Sequence, residues 1–356
     1  MVSIPKNLLV YGGAHAVVDL ASAITMYSIF RTGVVSAETF FFFLLAYDFL
    51  AFAGQAVLGW FVDKVRAPRA AAMVGCLLVA ISLFTWQIFP MLSVILAGLG
   101  NALFHLGGGA ISLNLMPGRA AAPGLFVAPG AVGLATGILA GQKGDWSLFW
   151  VAALLVLSTG LIFLTKSPTI DYEKKPAVAS RKMFTVIFIL LFSSIIIRSF
   201  VGSIVAYPWK KDAALFWTLI LAVFLGKALG GVLADKFGWI RVSVGALMIS
   251  AVLIPFGFKI PILGIAGMFF FQFVMAVILA ALAFLIPGRS ALIFGLNCLA
   301  LFFGLFPFFF PESSVIFLPH WQGLAFGATL CSSVAIYFSL VYLEARRPRD
   351  IIKNTF

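Results

Sequence analysis

The sequence predicts an all-α integral membrane protein with twelve transmembrane helices in two six-helix parallel repeats. Three observations carry that expectation. Hydrophobic residues make up 63% of the 356 and charged residues only 10%, with a mean hydropathy of +1.13; a water-soluble chain would carry about 25% charged residues. Apolar runs of the length that crosses a bilayer follow one another almost without interruption. Finally, one charged turn is written twice, about half a chain apart.

The apolar runs cover 8–30, 39–62, 70–89, 91–116, 120–141, 146–165, 183–207, 213–234, 240–258, 261–286, 289–310 and 319–343. Residues 1–165 and 183–345 form the two expected bundles. The polar stretch 166–182 is the expected linker, and 346–356 is a basic tail. Met1 to Lys6 leads straight into the first run without a small-residue cleavage site, so a removable signal peptide is not expected.

Charge alternates between loops. Lys6, Lys64, Arg66, Arg69, Arg119, the basic residues of the linker, Lys236, Arg241, Arg289 and the tail fall on one side. Arg31, Lys143, Lys210, Lys211 and Lys259 fall on the other. The richer side is expected to be cytoplasmic, with both termini there, in a bacterial inner membrane. This pattern accounts for the net charge of +12 without a nucleic-acid partner. Cys76, Cys298 and Cys331 lie in apolar runs and form no CxxC pair, so neither disulfides nor a metal motif is expected.

The duplicated turn reads Gly59-x3-Asp63-Lys64 followed by Arg69, and again Gly231-x3-Asp235-Lys236 followed by Arg241. Asp63 and Asp235 stand 172 residues apart. Pro117-Gly118-Arg119 returns as Pro287-Gly288-Arg289 at an offset of 170. Both pairs place equivalent loops on the same side of the membrane, which makes the repeats parallel about an axis along its normal. This arrangement resembles the major facilitator superfamily over nearly the whole chain. The resemblance implies a secondary transporter whose duplicated turns close the cytoplasmic side. The chemistry suits that role, since an Asp at a helix terminus can hold free backbone N–H groups and release them when helices move.

Ionisable residues inside a span are costly and mark pathways or relays. His15 and Asp19 lie four apart in the first run, as do Asn101 and His105 in the fourth, and Asp48 lies within the second. Four-residue spacing puts each pair on one helical face. The second half carries positive charge instead: Arg198 in the seventh run, and Lys227 about 12 Å of helical rise before Asp235. A carboxylate beside histidines can change its proton affinity as water gains or loses access. A buried Arg and Lys can meet an anion, or Arg198 can pair with Asp19. His15, Asp19, Asp48 and His105 could together also hold a divalent metal, but their linear spacing carries no metal motif, and neither a metal nor a cofactor is expected.

Gly98-x-Gly100 with Phe104-His105, together with His15-x3-Asp19, is similar to the fosmidomycin-resistance branch of the superfamily, drug exporters thought to run on the proton gradient. Leu106 and three glycines follow here where that branch has Pro. In the fifth run Pro129-Gly130, Gly133 and Gly137 form a small-residue stripe for close helix contact, and Pro129 and Pro307 are candidate kinks. No P-loop, nucleophile elbow or HExxH occurs. The expected activity is proton-coupled export of a small organic molecule by a monomer. Alternatives are organic-anion uptake or facilitated passage through Arg198 and Lys227, and a non-transporting membrane sensor or assembly factor of the same fold.

Overall fold

The computed structural model describes residues 6–174, 178 and 180–345; the basic tail 346–356 and linker positions 175–177 and 179 lie outside the described residues. Among the described residues the chain is helical, without strands. In order the helices are α1 (Lys6–Thr32), α2 (Ala37–Asp48), α3 (Gln55–Val65), α4 (Pro68–Thr85), α5 (Pro90–Leu115), α6 (Ala121–Lys143), α7 (Leu148–Leu164) and α8 (Arg181–Ile204). They continue with α9 (Ala213–Phe237), α10 (Trp239–Phe256), α11 (Pro261–Phe271), α12 (Val274–Leu285), α13 (Ser290–Leu305), α14 (Pro311–Phe317) and α15 (Trp321–Glu344).

Among the described residues, eleven helical segments are long and apolar enough to cross a membrane, and α7, at 17 residues, is a shorter apolar twelfth. Large apolar side chains such as Val57, Leu164 and Phe338 stand outward, as an integral membrane protein requires. Several buried polar side chains bond in pairs: Thr25 Oγ1 meets Ser82 Oγ at 3.2 Å, and Ser194 Oγ meets Ser332 Oγ at 2.6 Å. In lipid such groups have no water to turn to, so pairing them inside the bundle avoids an unpaired donor.

Two spans are broken. The second passes from α2 to α3 through a π-helical turn, Phe49–Ala53, which starts next to Asp48. The tenth is interrupted at Gln272–Phe273, between α11 and α12. Such breaks persist at membrane depth only where the freed backbone groups find partners.

Contacts divide the chain into two compact units. One comprises Met1–Leu115, Pro129–Ile170 and Arg289–Leu299; the other comprises Met116–Ala128, Asp171–Gly288 and Ala300–Phe356. Each unit therefore holds most of one sequence repeat and the start of the fifth helix of the other repeat. In the first unit α4 and α5 touch backbone to backbone: a Cβ on Gly75 would lie 2.4 Å from Phe104 N, and one on Gly107 would lie 2.2 Å from Pro68 O.

Candidate transport site and its gates

The duplicated turns are built the same way at atomic level. In the first unit α3 ends in the turn after Asp63, whose carboxylate is buried against the start of α13. Its Oδ1 accepts from the Ala291 N–H at 3.1 Å and its Oδ2 from the Leu292 N–H at 2.8 Å. The first N–H groups of a helix have no partner within that helix, and the helix dipole adds positive potential there, so a carboxylate completes the terminus. In the second unit Asp235 repeats the arrangement on α6, accepting from Ala120 N–H at 2.9 Å and Ala121 N–H at 2.8 Å. Trp239 Nε1 also donates to Asp235.

Glycine lets these helices approach. A Cβ on Gly59 would sit 2.5 Å from Ala291 O, and one on Gly231 2.2 Å from Ala120 O. One turn deeper the contact recurs with the roles exchanged: Gly295 faces Gln55 O, and Gly124 faces Lys227 O. Sequence reasoning missed Gly124, Gly295 and Gln55. The available signal was the repeat offset, since Gly124 and Gly295 stand 171 apart and Gln55 and Lys227 stand 172 apart. Gly118 and Gly288 match as well, with φ 75° and 74°, while Arg66 and Gly238 share only a positive φ, their ψ being 35° and 136°.

The other residues expected at the gate lie in or beside the same turns. Lys64 lies over the Trp60 ring at 4.9 Å, Arg69 donates to Thr165 O at 3.0 Å, Lys236 lies over Phe237, and Arg241 is exposed.

Deeper in the first unit α1 and α5 bring four expected residues into one knot. His15 Nε2 lies 3.1 Å from Asp19 Oδ2, and His105 Nε2 lies 3.6 Å from Asp19 Oδ1. The two Nε2 atoms are 2.8 Å apart. Asn101 Nδ2 donates to Asp19 Oδ1 at 3.1 Å. His105 Nδ1 faces Asn101 O at 2.8 Å. A carbonyl can only accept, so Nδ1 carries the hydrogen and neutral His105 presents a bare Nε2 to the knot. Phe104 and Phe294 flank the imidazoles.

The glycine stripe of α6 closes the knot on one side. A Cβ on Gly130 would lie 2.4 Å from His15 Nε2 and 2.5 Å from Asp19 Oδ2, while Gly133 and Gly137 press on Ala16 O and Leu20 O. Pro129 lies within α6, and Pro307 lies in the 3₁₀ turn that follows α13.

Asp48 stays outside the knot. Among the described residues its carboxylate has no hydrogen bond or ion pair; it ends α2 at the π-helical turn. In the second unit Arg198 is 7% exposed and turns to the break in the tenth span. Its Nη1 donates to Phe271 O, its Nη2 is 3.5 Å from Gln272 Oε1, and its guanidinium lies 4.6 Å from the Phe271 ring. The guanidinium thus caps the end of α11, and these acceptors carry no formal charge. Lys227 is half-buried on α9.

This architecture matches solved transporters over almost its full length. The E. coli fucose:proton symporter FucP superposes with a TM-score of 0.67 at 14% identity, covering 96% of this chain and 98% of that one. The major facilitator fold is established. The proton:xylose symporter XylE follows at 0.66 and 14%, covering 93% and 94%. The human organic anion transporter TETRAN gives 0.65 at 13%, covering 96% and 100%. No protein-family model matches the chain, and no curated protein matches its sequence.

Proposed function

We propose that the protein is a secondary active transporter of a bacterial cytoplasmic membrane, a monomer with both termini cytoplasmic, that exports a small organic molecule in exchange for protons. The observation that carries this is the His15–Asp19–Asn101–His105 knot, a carboxylate with two imidazoles and one amide held inside a spanning bundle of the major facilitator fold. Asp19 is the central proton station, and Asp48 is a second carboxylate within a span. The Asp63 and Asp235 clamps serve as the cytoplasmic gate, because each can be opened by separating one carboxylate from one helix terminus. An organic or drug-like cargo is supported by the similarity of the first and fourth spans to the fosmidomycin-resistance branch. The solved symporters of the same fold are proton-coupled by name.

Arg198 favours a second reading, an organic-anion carrier, since its hydrogen-bonding partners leave its charge unneutralised. The human neighbour is named for organic anions.

The test is flux in proteoliposomes, with cargo chosen by thermal-shift screening. Cargo movement accompanied by a change of lumenal pH, lost in Asp19→Asn, supports exchange. Flux that is indifferent to pH and lost in Arg198→Ala supports the anion carrier. Cargo binding without flux in either direction sinks both and leaves a sensor.

A further inference from the structure

The knot around Asp19 has a feature that proton chemistry alone does not call for: three donor atoms of metal-ligating type converge on one point. Among the described residues, His15, Asp19 and His105 are the group whose His, Cys, Asp or Glu ligand atoms gather within 4.8 Å. The two Nε2 atoms are 2.8 Å apart, and the two oxygens of Asp19 divide between them, Oδ2 lying 3.1 Å from His15 Nε2 and Oδ1 3.6 Å from His105 Nε2. A tetrahedral ion with ligands at about 2.0–2.1 Å sets its donors about 3.3 Å apart. With one ligand atom from each, the three side chains gather within 4.8 Å, close enough to share one ion.

The chemistry of the set points the same way. Two imidazole Nε2 atoms face each other at 2.8 Å, where both cannot carry a hydrogen. With Nδ1 of His105 committed to Asn101 O, its Nε2 lone pair is aimed inward. Ligating histidines characteristically anchor the other ring nitrogen on a carbonyl or carboxylate, and ligating carboxylates are themselves hydrogen-bonded. His105 and Asp19 have both supports, from the backbone and the side chain of Asn101. Gly130 leaves the donor atoms uncrowded where any side chain would strike His15 and Asp19. Two nitrogens and one oxygen suit a borderline ion of the zinc class over magnesium or calcium, which require more oxygens.

We propose that His15 Nε2, Asp19 and His105 Nε2 form a three-ligand site for a divalent transition cation of the zinc class, with a fourth position open to water or another ligand. This goes beyond the transport reading and does not depend on it, because binding is measured at equilibrium with no flux.

The probe is Co²⁺ alone, titrated into the full chain in detergent with any affinity tag removed and followed by visible d–d absorption. The expected result is one Co²⁺ per chain with an intense four-coordinate spectrum, abolished by equimolar Zn²⁺ and unaffected by excess Mg²⁺. His105→Gln and His15→Ala should weaken uptake at least 100-fold, and Asn101→Ala about 10-fold or more. His320→Ala, outside the site, should change nothing. Wild-type protein that gives no such spectrum at micromolar Co²⁺ overturns the proposal without reference to any variant. So does a spectrum that persists unchanged in both histidine variants, provided their metal-free melting curves show them folded.

Discussion

Replacing Asp63 by Ala tests the proposed gate at the two hydrogen bonds that hold it. The substitution removes two charge-assisted hydrogen bonds, to Ala291 N–H and Leu292 N–H, from a side chain that is 2% exposed. Hydrogen bonds to charged groups contribute about 1.5–3 kcal/mol each, and a charge at a helix terminus up to about 2 kcal/mol more. Water reaching the freed N–H groups in the open form recovers part of this, so a net loss of about 3 kcal/mol is expected, roughly a hundredfold in the opening equilibrium. Amide hydrogen exchange reads that equilibrium directly. Peptides containing Ala291 and Leu292 should exchange roughly a hundredfold faster in Asp63→Ala, while those containing Ala120 and Ala121 keep their protection. Asp235→Ala should give the converse pattern. If the 291–292 amides exchange at the wild-type rate in Asp63→Ala, the clamp does not hold α13 and the reasoning is wrong.

Four further outcomes follow from other parts of the molecule. Arg66 occupies a left-handed backbone position, with φ 55° and ψ 35°; Arg66→Gly should therefore leave stability unchanged or raise it, by up to about 1 kcal/mol. Gly288→Ala should lower it, since φ is 74° there and the Cβ would lie 2.7 Å from Asp171 O. Lys210, between α8 and α9, donates to Val205 O at 3.1 Å, and burial lowers its pKa. The unfolded chain then binds the proton more tightly, so Lys210 makes stability rise with pH between its folded pKa and the ordinary lysine value of about 10.4. Lys210→Met should flatten that rise in melting curves taken through the alkaline range; an unchanged slope would count against the burial argument. Arg198→Met leaves the Phe271 carbonyl without its donor and should cost about 1–3 kcal/mol in unfolding measurements. A variant more stable than wild type would mean that the buried charge outweighs its bonds.

The spans were legible in the sequence because a bilayer imposes a length that few other structures require, and the helices follow the apolar runs to within a few residues at most ends. The four-residue spacing of His15 with Asp19 and of Asn101 with His105 placed each pair on one face, but their convergence depends on how α1 packs on α5. That packing is set by contacts among residues some 80 to 90 positions apart. The Asp63 motif could be recognised, while its target could not: Ala291 lies 228 residues away and offers only backbone. Breaks at Phe49–Ala53 and Gln272–Phe273 escaped because neither stretch contains the Pro that would announce one. At the second break the signal was indirect, a lone Gln in an apolar run and an Arg far upstream that needed acceptors.

Proton movement through reconstituted protein, with and without the Asp19 carboxylate, tests the central claim most directly. Wild-type proteoliposomes containing a pH-sensitive dye should show lumenal pH change when a cargo selected by thermal shift is added, and Asp19→Asn should abolish the change while still binding that cargo. A lumenal pH response in Asp19→Asn equal to wild type would contradict the assignment of the knot as the coupling site.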